Sequence, residues 1–308
     1  MQDYCTSSAL SRRQFLKGLL AWGGLWVGLP KEAAARPITK LTRTHRPQPG
    51  SGAWTEPVWM VSLADNRYLF PANQAIPHGL PGSLMKLVAA TALLEEKLLS
   101  PNQALECRGS ITLNRQTFHC QHAHGKLTIQ EAIGLSCNVF FAQAANTLSI
   151  RRFLQYAQLY GLNTPAAQDD SFIFPAEFTN GHSSQAYALG LNRNLQPNAL
   201  QLARMAALIA RREIRGLHGN TWQVLRQGMR LAASRGTASE LQAAAQLRIA
   251  AKTGTTVHGN TFQSWLVGYF PFENPRYAFC TRAAAGTAKE AAVPLALRFL
   301  LARQWDIQ

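Results

Sequence analysis

Ser83 and Lys86 are the first pair of residues whose types and spacing could support covalent chemistry. They lie three positions apart at the start of an apolar segment, and residues i and i+3 share one face of a helix. A serine hydroxyl is a weak nucleophile unless a neighbouring base accepts its proton. A lysine amine can be that base when burial and nearby positive charge lower its pKa. The pair therefore indicates a serine nucleophile activated by a lysine.

Two further motifs carry groups that such a reaction would need. Ser136-Cys137-Asn138 offers a second hydroxyl, which can relay a proton, and an amide that can hold a substrate carbonyl. Lys252-Thr253-Gly254-Thr255 follows an apolar run and offers a cation, two hydroxyl groups and a glycine. Because glycine has no Cβ, substrate backbone could approach this strand closely, and the other groups suit a substrate carboxylate. Each motif by itself is a weak signal.

The amino-terminal segment predicts export. Residues 11–17 read Ser-Arg-Arg-Gln-Phe-Leu-Lys, and an apolar run follows to Pro30, which is typical of a twin-arginine signal peptide. The run is too short for a stable membrane span, which needs about 20 residues. Small residues at 33–35 offer a cleavage site. We therefore expect residues 1–35 to be a signal peptide and the protein to be periplasmic or extracellular.

Composition limits the class of protein and of partner. The chain has 308 residues, and 31 lysines and arginines against 16 aspartates and glutamates give a net charge of +15. Hydrophobic residues make up 47% and charged residues only 15%, which excludes a disordered chain. Such a basic balance suits either nucleic acid or an anionic cell envelope. Export from the cytoplasm argues against nucleic acid as the partner. The remaining chain beyond residue 35 still has a net charge of +13, so the anionic envelope is the expected partner.

Strand-like runs at both ends of the chain enclose a helical middle. The predicted strands cover 58–63, 67–70, 247–253, 264–269 and 277–281. A helix over 84–99 is apolar nearly all round, so we expect it to lie deep in the domain. The order predicts an α/β (α+β) fold with an antiparallel sheet flanked by helices and an all-helical subdomain. Residues 36–53 are expected to be a flexible leader, and residues 54–308 a single domain.

In this order, the three motifs resemble those of the penicillin-binding protein and serine β-lactamase superfamily. The resemblance to the penicillin-binding transpeptidase domain runs from about Trp54 to Ala302. It implies that Ser83 is the acyl-forming nucleophile and that Lys86 is its general base. It further implies that Ser136 relays the proton and that Lys252 adds positive charge beside these groups.

The same resemblance implies the residues that bind substrate. Asn138 would hold the peptide carbonyl, while Thr253 and Thr255 would bind the substrate carboxylate beside Gly254. The backbone N–H groups of Ser83 and Thr255 would form the oxyanion hole. No cofactor and no metal are expected.

The implied function is that of an acyl-serine D,D-transpeptidase or D,D-peptidase. It would act on D-Ala-D-Ala-type peptides of peptidoglycan or on related D-amino-acid peptides, and β-lactams would be covalent ligands. Two positions depart from the family pattern: Ala251 stands where glycine is frequent, and 188–192 differs from the usual Gly-Gln-Gly segment. A small stand-alone enzyme is expected, since 36–82 leaves no space for a pedestal domain. The alternatives are a serine β-lactamase and a non-wall peptide acyltransferase or cyclase on the same site.

Cysteine and histidine residues cluster in one segment. Cys107 and Cys120 flank a predicted hairpin and could form a disulfide in an oxidising compartment. Together with His119, His122 and His124 they also resemble a metal cluster, but the spacing matches no common zinc pattern. We interpret Cys137 as a packed thiol and Cys280 as a core residue of a strand.

Overall fold

The computed structural model describes residues 54–307, apart from residues 70, 73, 74 and 163–182. The predicted signal peptide (1–35) and leader (36–53) lie outside the described residues. Within them, strands occur near both ends of the domain and helices fill its middle, as the sequence predicts.

Five strands form one antiparallel sheet in the order β2-β1-β9-β8-β7. The strands are β1 (Val58–Ser62), β2 (Tyr68–Leu69), β7 (Ala250–His258), β8 (Thr261–Phe270) and β9 (Tyr277–Ala283). The first two predicted strands, 58–63 and 67–70, pair as an antiparallel hairpin in which Met60 lies opposite Leu69. Strand β7 is an edge of the sheet and pairs only with β8 among the described strands, with Lys252 opposite Val267. This edge carries the third sequence motif.

Both faces of the sheet are buried, and neighbouring residues of a strand face opposite sides. Trp59 and Val61 belong to the larger apolar core, whereas Val58 and Met60 belong to a second core on the other face. The second core is closed by helix α8 (Val293–Leu301) and by the 3-10 segment Ser239–Leu247. A π-helical turn, Ala288–Ala292, precedes α8.

The larger core is built around helix α1 (Met85–Glu95), in which nine of eleven residues are buried, including Lys86. This burial agrees with the prediction of a helix that is apolar all round. The helix ends at Glu95 rather than at residue 99, because Lys97 adopts a left-handed backbone conformation with φ of 56°. The N–H groups of Lys97 and Leu98 then bond to the carbonyl groups of Leu94 and Leu93, which stops the helix.

Seven further helices and two small β-ribbons complete the described part of the domain. The helices are α2 (Ile129–Gly134), α3 (Asn138–Ala145), α4 (Ile150–Leu159), α5 (Ser184–Ala188), α6 (Ala199–Arg211), α7 (Gly219–Arg235) and α8. One ribbon pairs β3 (Leu105–Cys107) with β6 (Gly125–Leu127), and the other pairs β4 (Ser110–Leu113) with β5 (Gln116–His119). Helix α6 is the longest of these helices after α7 and has eleven buried residues. None of the helices in the described ranges combines the length and the hydropathy that a membrane crossing requires.

Candidate active site

Ser83 lies in the 3-10 turn Gly82–Leu84, which leads directly into α1. Gly82 has a positive φ of 54°, and a Cβ on it would lie only 2.8 Å from the carbonyl oxygen of Thr255. Glycine is therefore the residue that this turn permits. The turn seats the half-buried Ser83 against strand β7 at the edge of a cleft.

Lys86 is fully buried one helical turn after Ser83, and four oxygen atoms surround its amine. The Nζ atom lies 2.9 Å from Ser83 Oγ, 2.6 Å from the carbonyl oxygen of Ser136 and 2.6 Å from Asn138 Oδ1. Ser136 Oγ is slightly farther away, at 3.3 Å. Burial lowers the pKa of Lys86 to about 7, and it outweighs the opposing effect of the nearby Cys137 and Cys120 sulfur atoms.

These contacts suit a neutral amine. A neutral lysine has two N–H donors and one lone pair. The two shortest contacts, to the Ser136 carbonyl and to Asn138 Oδ1, use the donors. The lone pair is then left to accept the proton of the Ser83 hydroxyl. This geometry is the one that a general base in contact with a nucleophile would require.

The second motif joins helix α2 to helix α3. Ser136 has a left-handed backbone conformation with φ of 55°, and Cys137 caps α3 by accepting the N–H of Phe140 at its sulfur. This sharp turn directs the Ser136 side chain and the Asn138 side chain toward Lys86. The Asn138 amide also donates to the carbonyl oxygen of His119, at 2.8 Å. Asn138 is therefore held between Lys86 and the end of β5.

Lys252 reaches the same place from strand β7. It is fully buried, and its amine donates to Ser136 Oγ at 2.8 Å and to the Thr253 carbonyl oxygen at 2.9 Å. Burial, and secondarily the charge of Lys86, lower the pKa of Lys252 well below its ordinary value. The Ser136 hydroxyl consequently lies between two amines, which is the position that a proton relay requires.

The glycine at position 254 has a structural explanation within the protein itself. A Cβ on Gly254 would lie 2.4 Å from the carbonyl oxygen of Pro81 and 3.0 Å from Leu84 Cγ. The backbone that approaches the strand at this glycine is therefore the chain's own, immediately before Ser83. Gly254 allows β7 to pack against the turn that holds Ser83.

The two threonines of the third motif have partners in the protein. Thr253 Oγ1 lies 2.7 Å from Thr237 Oγ1, and Thr255 Oγ1 accepts the backbone N–H of Ala288 at 3.1 Å. Both threonines line a cleft of about 580 Å³, together with Ser83, Ser136 and Asn138. The structure thus brings together all eight residues that the sequence singled out.

Several residues of the cleft were not predicted from the sequence, and three of them carry groups that bear on substrate binding. Thr237 extends the hydroxyl row of Thr253, and the cations Arg235 and Lys289 line the cleft from two other segments. The triplet Gly236-Thr237-Ala238 belongs to the family resemblance, and that was the available signal for Thr237. Arg235 and Lys289 carry no local motif that distinguishes them from other surface cations.

The four described cysteines are unbridged. The disulfide considered between Cys107 and Cys120 is not formed, and Cys120 Sγ lies 3.7 Å from Cys137 Sγ instead. Cys137 is buried as predicted, and Cys280 lies in the interior of β9. The cysteine-histidine grouping also differs from the predicted one, since Cys107, Cys120, His124 and Cys137 converge, without His119 and His122.

The sequence is similar to known proteins over most of the domain. The profile of the family described as "Penicillin binding protein transpeptidase domain" matches residues 70–298. The chain is 25% identical over 280 residues to the peptidoglycan D,D-transpeptidase PbpA of Mycolicibacterium smegmatis. That alignment covers 77% of this chain and 55% of PbpA. It is 33% identical over 84 residues to the penicillin-binding protein PbpB of Mycobacterium tuberculosis. That alignment covers 27% of this chain and 12% of PbpB. The chain therefore spans only part of the length of these relatives.

The fold has counterparts among solved structures. Pseudomonas aeruginosa PBP2 in complex with WCK 5153 superposes with a TM-score of 0.68 at 18% identity, over 82% of this chain and 74% of that chain. Apo PBP3 of Mycobacterium tuberculosis superposes with a TM-score of 0.62 at 20% identity, over 80% of this chain and 72% of that chain. These structures confirm the predicted fold class. From the match to residues 70–298, the chain belongs to the penicillin-binding protein transpeptidase domain family.

Proposed function

We propose that this protein is an acyl-serine D,D-transpeptidase or D,D-peptidase that acts on D-Ala-D-Ala-type peptides of peptidoglycan and binds penicillins covalently. The contact between the buried Lys86 amine and Ser83 Oγ, 2.9 Å long, carries the proposal. It pairs a nucleophile with a base whose pKa, about 7, keeps a large neutral fraction at neutral pH.

In the first half of the reaction, Ser83 Oγ attacks the carbonyl carbon of the penultimate D-alanine while Lys86 accepts its proton. The backbone N–H groups of Ser83 and Thr255 stabilise the oxyanion. Close packing of Gly82 against Thr255 supports this pairing, because it brings the two backbones together. The C–N bond then breaks and leaves an ester on Ser83.

The departing D-alanine amine needs a proton, and the Ser136 hydroxyl can deliver it. Ser136 Oγ contacts Lys86, which holds the proton at this stage. It also accepts a hydrogen bond from Lys252, which stabilises the hydroxyl oxygen during the proton transfer. An amine or water then attacks the ester by the reverse route, returns the proton to Ser83 and releases the product. An amine acceptor gives transpeptidation, and water gives hydrolysis.

A peptide that ends in a carboxylate fits the charge of the cleft. Thr253, Thr255 and Thr237 supply hydroxyl donors, while Arg235 and Lys289 supply positive charge at the same opening. The proposed location, outside the cytoplasm after twin-arginine export, would expose this site to the cell wall. The net charge of +13 beyond residue 35 suits an anionic envelope there.

Fluorescent penicillin labelling of the purified full chain tests the nucleophile. We expect wild type to form a stable covalent adduct, with the added mass on the peptide that contains Ser83. Ser83→Ala should give no adduct, while the matched control Ser100→Ala, which removes an exposed hydroxyl in a loop after α1, should label as wild type does. Labelling of Ser83→Ala at the wild-type level would refute the assignment.

The reaction itself is tested with a peptide ending in D-Ala-D-Ala, with and without a D-amino acid as acceptor. Mass spectrometry should show release of the terminal D-alanine, with exchange for the acceptor if the enzyme is a transpeptidase. Fast catalytic hydrolysis of nitrocefin with no action on the peptide would identify a β-lactamase and contradict the proposal.

A further inference from the structure

Four metal-binding side chains converge beside the second motif, although they come from four different segments. Cys107 ends β3, Cys120 follows β5, His124 precedes β6 and Cys137 caps α3. Their sulfur and imidazole nitrogen atoms all lie within 4.8 Å of one another, and Cys107 and Cys137 are buried. Thirteen, four and thirteen positions separate them along the chain, so that only the fold brings them together.

The spacing of these atoms fits the edges of a tetrahedron. With Zn–S bonds of about 2.3 Å and a Zn–N bond of about 2.0 Å, tetrahedral geometry requires S···S and S···N distances of about 3.8 and 3.5 Å. Cys120 Sγ lies 3.7 Å from Cys137 Sγ, and Cys107 Sγ lies 3.4 Å from His124 Nδ1. These two pairs are opposite edges of one tetrahedron. The other pairs of ligand atoms are at most 4.8 Å apart, so none of these distances needs to shorten by more than about 1 Å.

Backbone N–H groups around the cluster stabilise negatively charged sulfur atoms. Cys120 Sγ accepts the N–H groups of Asn138 and Val139, at 3.2 and 3.4 Å, and Cys137 Sγ accepts that of Phe140, at 3.3 Å. All three donors belong to the first turn of α3, whose N-terminus favours negative charge. Hydrogen bonds of this kind orient metal-bound thiolates and stabilise them.

We propose that Cys107, Cys120, Cys137 and His124 Nδ1 bind one Zn²⁺ ion in a closed structural site. The three thiols bind as thiolates and release their protons to solvent, and the imidazole binds in its neutral form. Three sulfurs and one nitrogen in tetrahedral arrangement are a donor set that selects zinc. Because four protein ligands fill the coordination sphere, the ion has no open position for catalysis.

The ion would connect the two small β-ribbons to the active site. Isolated two-stranded ribbons are marginally stable, and the ligands tie both of them to the start of α3. Cys137 stands between Ser136 and Asn138, and Cys120 receives the Asn138 N–H, so the site would fix the second motif in place. Export of the folded chain, as proposed above, would allow the ion to bind in the reducing cytoplasm.

Metal content tests the site without reference to catalysis, so its outcome is independent of the proposed function. Full-length protein, purified without chelator, should contain about one equivalent of zinc. The variants His124→Ala and Cys107→Ser should each lose it. The matched controls His122→Ala, from the same loop, and Cys280→Ala, from the sheet, should keep it. Wild type without zinc after incubation with excess Zn²⁺, or variants that all retain the ion, would overturn the proposal.

Cobalt provides a second readout that does not depend on how well a variant folds. Wild type prepared with Co²⁺ in place of zinc should show the intense visible bands of tetrahedral cobalt and thiolate-to-cobalt charge transfer. Chelation should abolish these bands and lower the thermal unfolding midpoint. A weak octahedral spectrum would contradict the donor set. A Cys120–Cys137 disulfide, found by non-reducing mass spectrometry of freshly purified protein, would also contradict it, because it removes two ligands.

Discussion

The contact between Gly254 and Pro81 makes Gly254→Ala a stringent test of how the site is assembled. Gly254 lies in β7 with no positive φ, so alanine suits its backbone, and the added methyl group meets only a steric obstacle. That group would lie 2.4 Å from the Pro81 carbonyl oxygen. An ordinary contact between carbon and oxygen is about 3.3 Å, so the two backbones must separate by about 1 Å.

The displacement falls on the turn that carries the nucleophile, because Pro81 lies two residues before Ser83. A misplacement of about 1 Å in a reacting group can reduce the rate about a hundredfold. Overpacking of this kind also destabilises a protein by about 1–3 kcal/mol. We therefore expect Gly254→Ala to fold, with a lower unfolding midpoint, and to be acylated by penicillin about a hundredfold more slowly than wild type.

The assay is the second-order rate constant of acylation by fluorescent penicillin, with circular dichroism to verify folding. Gly79→Ala is the matched control, since the nearest atoms to a Cβ there are 3.8 Å away, which is an ordinary contact four residues before Ser83. It should be acylated within about threefold of the wild-type rate. A folded Gly254→Ala protein that acylates at the wild-type rate would refute the argument that this packing positions the nucleophile.

Two further predictions concern protonation and stability. The proposed base is the neutral form of Lys86, whose pKa is lowered to about 7, so the acylation rate should rise with pH and be about tenfold higher at pH 8 than at pH 6. A flat profile across that range would exclude this assignment of the base. Glu95, whose side chain is 5% exposed, accepts hydrogen bonds from the His218 backbone and ring and from the Thr221 hydroxyl at the end of α1. Thermal and urea unfolding should show Glu95→Gln destabilised by about 1–3 kcal/mol. The control Glu106→Gln, which breaks an exposed ion pair, should change stability by less than about 1 kcal/mol, and equal losses in both variants would contradict the reasoning.

The residues that we propose for the reaction could be singled out from the sequence because they lie in short local motifs. Ser83 and Lys86 are one helical turn apart, so a helix that begins at this point is enough to place both side chains on the same helix face. The all-round apolar character of α1 also predicted that Lys86 would be buried, and burial is the main cause of its lowered pKa. The strands of the sheet were recognisable from their apolar runs and turn residues for the same local reason.

Contacts between distant segments could not be found in this way. No local pattern indicates that Thr237 contacts Thr253, or that Gly254 packs against Pro81. The cysteine cluster shows the difference most clearly, since the sequence suggested Cys107 with Cys120, while the fold turns Cys120 toward Cys137.

The sequence by itself indicated the fold class and the residues that we propose as nucleophile, base and further members of the reaction centre, because each motif consists of residues that are close along the chain. The tertiary structure alone decided that Ser136 lies between Lys86 and Lys252, residues 166 positions apart. It also decided which four side chains form a possible metal site. The physical reason is that these distances depend on how the sheet edge, α1 and the start of α3 pack together, and the free energy of that packing is spread over the whole core.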